Sequence, residues 1–296
     1  MAAAFPPQFH VAVDVVALTI QDDVLKVAVV QRAGSTSCIR QTDGVVREVP
    51  RRPGHFALPG GHVGPTEGLV DAALRELAEE TGLEVAPNDL VQIGAFGDPL
   101  RDPRSGRTVS VAFAAFSPSL PDPRGGSDAR HALFIDVVEV LAAPNELEFD
   151  HATILRSAIR TVRDVVERTA LALNFCDDTF TMGDLRRVYE ILFAPAYDPD
   201  APAERVAAEL RNLAPRSATL RQSREEMAPM FRLRLDPGNF ARKVLAIDGF
   251  VRRLRTSTSD VDSAPTRSGP GRPPQHYVRG GAVRLDPPLI VRRHDS

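Results

Sequence analysis

The sequence predicts a mixed α/β protein in two parts, and three observations lead there. Through the first 172 residues, β-branched runs of strand length alternate with longer segments of helical periodicity. A chain of 296 residues, 43% of them apolar, is long for one domain and sufficient for two cores. Charge is divided unevenly: residues 231–296 hold 13 Lys/Arg against 6 Asp/Glu, a net of +7, which leaves −10 on residues 1–230. An acidic body with a basic end suits a C-terminal part that binds a polyanion, although a solvated basic tail gives the same count.

Val11–Ile20 and Val24–Gln31 are β-branched runs separated by Gln21-Asp22-Asp23, which reads as a hairpin. Residues 33–54 read as a polar loop. Phe56–Pro59 is a short apolar strand running into Gly60-Gly61. From Thr66 the spacing turns helical, with Leu69, Ala72, Ala73 and Leu77 on one face and Gly82 as the stop. Leu90–Phe96, Thr108–Phe116 and His131–Val140 are strand candidates. Phe149–Ala172 is a long amphipathic helix opened by Asp150. In the second part, Thr179–Phe193 reads as a helix with Thr181 and Asp184 at capping-box spacing. Leu185, Val188, Tyr189 and Leu192 form its buried stripe. Ala203–Leu213 reads as a helix within a segment rich in Pro, Ala, Arg and Glu, about 195–230. Leu235–Ile247 is a helix with Asp236 as N-cap, Pro237 in its first turn and Phe240, Val244 and Leu245 inward. His276–Val278 closes the series as a strand.

Cys38 and Cys176 are far apart and lack CxxC spacing, which disfavours a zinc site or a disulfide framework. No N-terminal stretch reads as a signal peptide and no run of 18 apolar residues occurs, so a cytoplasmic protein without a membrane partner is expected.

One segment carries chemistry. Gly61, Glu67, Arg75, Glu76, Leu77, Glu79, Glu80, Gly82 and Leu83 stand in the spacing GX5EX7REUXEEXGU, with U aliphatic. Seven fixed identities arise by chance at roughly 10⁻⁹ per start position, which decides against coincidence in a chain of this length. Glu76, Glu79 and Glu80 crowd one face of the predicted helix, where like charges repel. A hard divalent cation, Mg²⁺ or Mn²⁺, would relieve that repulsion. Arg75 lies four residues before Glu79 and can orient it, and Glu67 can reach the same place. Gly60 and Gly61 suggest a turn closed to other residues.

The box resembles the signature of the Nudix family. That resemblance implies an α/β/α Nudix sandwich over residues 1–172. It also implies metal-assisted attack of water on the pyrophosphate of a nucleoside diphosphate derivative, with Glu76, Glu79, Glu80 and Glu67 as metal ligands. Glu79 is the expected base, acting with Glu76 and Arg75, with Glu139 and Glu146 as alternatives on other loops. The segment Arg101-Asp-Pro-Arg104-Ser-Gly-Arg107 is similar to the loop of ADP-ribose-handling members, which makes Arg101, Arg104 and Arg107, with Gly60 and Gly61, the expected ligand-binding residues.

Three later stretches, Phe180–Glu190 (FTMGDLRRVYE), Asn239–Leu245 (NFARKVL) and Gly271–Tyr277 (GRPPQHY), resemble the winged helix-turn-helix part of Nudix-related transcriptional regulators. Val13–Leu18 (VDVVAL) and Phe149–Leu155 (FDHATIL) extend the likeness into the first half. It implies a DNA-binding domain over residues 173–296 in a homodimeric repressor of NAD metabolism that binds operator DNA and senses ADP-ribose or a related nucleotide. Asn239, Arg242 and Lys243 on the second helix, and Arg267 and Arg272 in a wing, are the expected DNA contacts. A metal-dependent ADP-ribose pyrophosphatase with an accessory C-terminal domain is the alternative. Two departures bear on the choice. About forty residues separate Phe193 from Asp236 where the family has a short connection. The box, often eroded in these regulators, is intact.

Overall fold

The computed structural model describes residues 9–32, 56–102, 107–116, 120, 123, 129–213, 233–254 and 274–291, and the backbone of 37–42 and 45–50. The expected N-terminal hairpin forms. β1 (Phe9–Gln21) and β2 (Val24–Arg32) pair antiparallel with Gln21 opposite Val24. Asp22 and Asp23 make the two-residue turn at φ 51° and 67°. Positive φ at both positions matches the twist of the flanking strands, and Asp tolerates it better than most residues.

β1 is the centre of the sheet. β8 (Arg107–Phe116) runs parallel beside it, from Phe9 opposite Arg107 to Leu18 opposite Phe116. β7 (Leu90–Phe96) lies outside β8. β5 (Phe56–Ala57) and β9 (Ala129–Asp136) pair with β2, and β6 (Gly60–His62) pairs with β1. Successive β1 side chains point to opposite layers. Val13, Val15 and Ala17 cluster with Ala72, Ala73 and Leu77 of α1 (Leu69–Thr81). Val16 and Leu18 cluster with Ile154, Leu155 and Ala158 of α3 (His151–Arg168). With both faces covered, β1 is an almost continuous apolar run rather than an alternating one. This is an α/β/α sandwich.

Several boundaries differ from the sequence reading. Residues 33–54, read as a loop, contain a hairpin of β3 (Ser37–Thr42) and β4 (Val45–Pro50). The strand read over His131–Val140 stops at Asp136, and α2 (Val137–Ala142) follows. Val137, Val138, Val140 and Leu141 are all buried, which helical spacing permits and strand alternation does not. α1 starts at Leu69 rather than Thr66, because residues 64–67 form a turn closed by Glu67 N–H donating to the Gly64 carbonyl at 3.2 Å. The long helix gives way after Arg168 to a 3₁₀ segment, Ala170–Phe175.

The second part is a winged helix-turn-helix. β10 (Phe180–Thr181) leads into α4 (Met182–Leu192), whose capping box is complete: Thr181 Oγ1 accepts from the Asp184 N–H, and the Asp184 carboxylate accepts from the Thr181 N–H. After α5 (Ala203–Leu213), α6 (Pro237–Leu245) is capped by Asp236, which accepts from the Asn239 N–H at 2.6 Å. Tyr189 meets Phe240 edge-to-face at 5.6 Å, joining α4 to α6. Leu245, expected inward, is 48% exposed, because it lies about 100° round the helix from Val244 and away from the Phe240–Val244 face. β11 (Val251–Arg253) and β12 (His276–Arg279) complete a three-stranded sheet in the order β10-β12-β11. The expected wing, 256–274, falls almost wholly outside the described residues. No helix among the described residues is long and apolar enough to cross a membrane.

The two parts share one apolar core. A single buried cluster runs from Val16 and Leu18 through α3 to Leu185, Tyr189, Phe240, Tyr277 and Leu289. Buried Arg163 on α3 donates to the carbonyls of Leu192, Ala194 and Tyr197 at 2.8, 3.2 and 3.0 Å, satisfying the C-terminal end of α4. The Tyr197 hydroxyl accepts from the Leu25 N–H at 3.1 Å, and Arg187 pairs with Asp23 in the β1–β2 turn. Arg156 donates to the carbonyls of Pro199 and Ala201, and Arg160 pairs with Asp200. The described start of the inserted segment therefore lies on the sandwich.

A shared core predicts one unfolding transition. All three tyrosines, Tyr189, Tyr197 and Tyr277, belong to the second part, so near-ultraviolet tyrosine circular dichroism reports that part while the far-ultraviolet signal reports the whole chain. The two midpoints in urea should coincide. Arg163→Met should lower stability by about 3 kcal/mol or more, at roughly 1 kcal/mol for each stranded carbonyl.

Candidate functional site

The box occupies the end of α1 and the glycine strand facing it. Gly82 stops the helix at φ 68°, its N–H donating to the Ala78 carbonyl. Gly60 is closed to other residues, as expected, but by space rather than by φ, whereas at Gly61 a side chain would meet only the movable end of Glu76. A Cβ on Gly60 would lie 2.3 Å from the Val13 carbonyl oxygen, and one on Gly61 would lie 2.2 Å from Glu76 Oε1. Glu80 is buried and accepts from the Gly60 N–H at 2.9 Å.

Arg75 already relieves the crowded carboxylates. Its guanidinium donates to both Glu67 oxygens at 2.7 and 2.9 Å, to Glu76 at 2.9 Å and to Glu79 at 3.1 Å, as well as to the His62 carbonyl. The Arg75 hydrogen bond, then the Gly64 N–H, lower the Glu67 carboxyl to about 2. Arg75 thus shares the neutralising role expected of a metal ion at these carboxylates. Among the described residues no three carboxylate, imidazole or thiol groups converge as a cation site.

Arg101 belongs to a different constellation, buried beneath β1. It donates to both Asp150 oxygens at 3.0 and 2.8 Å and to Asp14 Oδ2 at 3.0 Å, and only 8% of it is exposed. Asp14 Oδ2 also accepts from Ser110 Oγ at 2.6 Å, and Asp14 Oδ1 faces His151 Nε2 at 3.3 Å. His151 Nδ1 accepts from the Leu58 N–H at 2.8 Å. Burial alone would raise the Asp14 carboxyl, but His151, Arg101 and Ser110 together hold it well below the usual carboxylate range. Burial likewise works against the Arg101 charge, and Asp150 and Asp14 more than offset it. Asp14 and His151 stand in the stretches Val13–Leu18 and Phe149–Leu155 that carry the family likeness, but the sequence singles out neither as a site residue. A charged residue inside a strand of that character was the available signal.

Arg107 opens β8 with its guanidinium 5.9 Å from the Phe9 ring, and its Nη1 is buried without a hydrogen-bond partner among the described residues. Arg104 lies outside the described residues. Glu139 and Glu146, weighed as alternative bases, are exposed on α2 and on the 3₁₀ turn Pro144–Glu146. Glu148, which the sequence reading passed over, has its backbone N–H on the Phe56 carbonyl and a buried Oε2 with no partner among the described residues. A cleft of about 530 Å³ opens elsewhere, at the junction of the two parts between Asp89, Asn174, Asp177 and Arg279.

In the second part, Asn239, Arg242 and Lys243 are exposed on one side of α6, with Phe240 and Val244 buried on the other. Arg242 donates to Asn239 Oδ1 at 2.8 Å. Exposed Arg252 and Arg253 on β11 add to the cationic residues of the sheet. Arg267 and Arg272 lie outside the described residues.

The Asp14 cluster predicts a specific pH response. With its native pKa depressed, Asp14 stabilises the fold above its unfolded value near 3.9, and the stabilisation is lost as pH falls through the native value. Asp14→Asn should cost about 3–5 kcal/mol at pH 7. In urea titrations, the gap from wild type should persist to about pH 4 and close below it.

A NUDIX domain model matches residues 8–158, about half of the chain. The chain is 30% identical over 140 residues to the ADPR responsive transcriptional repressor NtrR of Acinetobacter baylyi, a match spanning 47% of this chain and 54% of that protein. It is 36% identical over 107 residues to an ADP-ribose pyrophosphatase of Methanocaldococcus jannaschii, spanning 36% of this chain and 59% of that protein. The chain thus spans between half and three-fifths of the length of these curated relatives. Among solved structures, a MutT/nudix family protein from Enterococcus faecalis is similar with a TM-score of 0.59 at 22% identity, over 94% of this chain and 89% of its own. Shewanella oneidensis NrtR complexed with a 27mer DNA is similar with a TM-score of 0.51 at 20% identity, over 91% and 93%. At those identities the two structures establish a common fold along most of the chain. The domain match takes in the strands on both sides of β1, the helix that bears the box and the start of the helix across the sheet from it, and the chain belongs to the Nudix family.

Proposed function

We propose that the chain is a DNA-binding transcriptional regulator of NAD metabolism, acting as a homodimer, whose Nudix part senses ADP-ribose or a related nucleotide. The observation that carries this reading is the exposed Asn239, Arg242 and Lys243 side of α6, presented by a winged helix-turn-helix that shares its core with a Nudix sandwich. Asn, Arg and Lys are the residue types that read base edges and phosphates. The likeness to an ADPR responsive repressor supports the choice of ligand. A two-fold dimer would place two such helices on successive half-sites of an operator.

The chemistry of the donor set suits a hard divalent cation: Arg75 draws Glu67, Glu76 and Glu79 to itself, and the Glu79 side chain, 57% exposed, is able to exchange Arg75 for an ion. Glu76, Glu79, Glu80 and Glu67 would hold Mg²⁺ or Mn²⁺, which when bound polarises phosphoryl oxygens. Arg107, with one guanidinium nitrogen unpartnered among the described residues, has a donor available for a ligand phosphate. Arg101 is engaged with Asp14 and Asp150 and serves the frame of the site.

For a ligand to change DNA binding it must favour one arrangement of the two parts. α3 supplies the connection. At its start Asp150 and His151 join the cluster beneath the box. At its end the Arg168 and Glu167 carbonyls accept from the N–H groups of Leu285 and Leu289, each at 2.8 Å, and Glu167 Oε1 accepts from the Val291 N–H at 2.7 Å. The chain that follows β12 is thereby tied to the helix that starts at the box. A second reading, an ADP-ribose pyrophosphatase, is favoured by the complete box and by the 36% identity to such an enzyme.

Mobility shift of the protein's own upstream DNA across an ADP-ribose titration separates the readings. A regulator changes its operator affinity, and a 100-fold change corresponds to about 2.7 kcal/mol of differential binding. Unchanged affinity at saturating ligand, with release of AMP and ribose phosphate, would select the pyrophosphatase. Arg242→Ala and Lys243→Ala should each flatten the salt dependence of operator binding by about one unit. Glu79→Gln should weaken Mn²⁺ binding in calorimetry without moving the urea midpoint downward.

A further inference from the structure

The geometry points to His151 as a positioning residue for the box: an imidazole that holds the glycine loop in the place where it sets Glu76 and Glu80. This rests on the reading of the box as a cation and nucleotide site, and concerns a residue outside it. The chain of contacts is continuous. Leu58 N–H donates to His151 Nδ1 at 2.8 Å, so Nδ1 is the acceptor and Nε2 carries the proton. That N–H faces Asp14 Oδ1 at 3.3 Å, and Asp14 is itself held by Arg101 and Ser110. The imidazole is thus fixed in tautomer and orientation by a carboxylate, as a ligand-orienting group must be.

The loop it grips has little freedom. The Pro59 carbonyl accepts from the Val15 N–H at 2.8 Å, and two residues beyond Leu58 the Gly60 N–H meets Glu80 Oε2 at 2.9 Å. Gly61 then lies so close to Glu76 that a Cβ would fall 2.2 Å from Oε1. Displacing Leu58 therefore moves the backbone against which two box carboxylates are set. The approach of His151 is itself forced. Phe149, two residues earlier, is held at φ 55°, a conformation an aromatic residue rarely adopts, and its ring meets the His151 ring at 5.1 Å. The two residues that follow that turn meet Arg101, through Asp150, and Asp14, through His151.

Two substitutions divide the imidazole's contacts. His151→Asn places an oxygen where Nδ1 stands and keeps an acceptor for Leu58. His151→Gln places an amide where Nε2 stands and keeps the partner of Asp14 but not of Leu58. The experiment is Mn²⁺ calorimetry on the full chain together with amide hydrogen exchange of Leu58 and Gly60 in the metal-free protein. The expected result is a loss of Mn²⁺ affinity of about 10–100-fold in His151→Gln, a smaller loss in His151→Asn, and faster exchange of both amides in the Gln variant only. Equal Mn²⁺ affinity in all three proteins, or equal loss in both variants, would overturn the assignment. If wild type takes up no Mn²⁺, the cation reading of the box fails, and exchange alone decides the positioning role: selective loss of protection in His151→Gln upholds it and equal exchange in the two variants overturns it.

Discussion

A strand covered on both faces leaves no water for a charge placed in it, and β1 carries Asp14 at such a place. An ionised carboxylate there has to be compensated by the protein. Arg101, Ser110 and His151 do so, and they come from three separate stretches of chain: the turn after β7, strand β8 and the first turn of α3. The charge in β1 therefore determines where the loop after β7 folds inward, how α3 enters, and through His151 how the glycine loop lies against α1. The box is built on that arrangement.

The box shows the opposite solution to the same problem. Its carboxylates sit at the exposed end of α1, where one arginine shared among Glu67, Glu76 and Glu79 suffices. Arg75 is held by several moderate hydrogen bonds rather than buried, so its partners can be exchanged. Asp14 and Arg101 cannot be exchanged in that way, since separating them leaves two charges in an apolar interior. One cluster is suited to holding a shape and the other to meeting a ligand, although both are built from arginine and carboxylates.

The union of the two parts follows from α3. One side of the helix closes the sheet with Ile154, Leu155 and Ala158, while Arg163, a turn further on, satisfies the carbonyls at the end of α4. At about 1.5 Å per residue its 18 residues span roughly 27 Å, with the Asp14 cluster at its start and the segment that follows β12 at its end. The inserted segment strengthens the union, since its described start lies on α3 through Arg156 and Arg160 and on β2 through Tyr197.

The sequence by itself determined the elements whose causes are local. The Asp22-Asp23 turn, the Gly82 stop, the Thr181–Asp184 capping box and the Asp236-Pro237 helix start are each written in a few adjacent residues, and the spacing of the box places Arg75 and its carboxylates on one helix face. Tertiary structure decided what depends on residues distant in the chain. Val137–Ala142 became a helix because four consecutive-turn side chains found a common apolar surface, where its β-branched composition had suggested a strand. Arg101 turned inward because Asp14 and Asp150, 87 and 49 residues away, required a cation. Gly60 proved to answer to the Val13 carbonyl, 47 residues earlier, rather than to backbone φ, and the role of His151 depends on Leu58, 93 residues earlier. Local pattern carries hydrogen bonding along the chain and the period of burial; it does not say which buried charge will need which partner, because only the folded sheet brings them within reach.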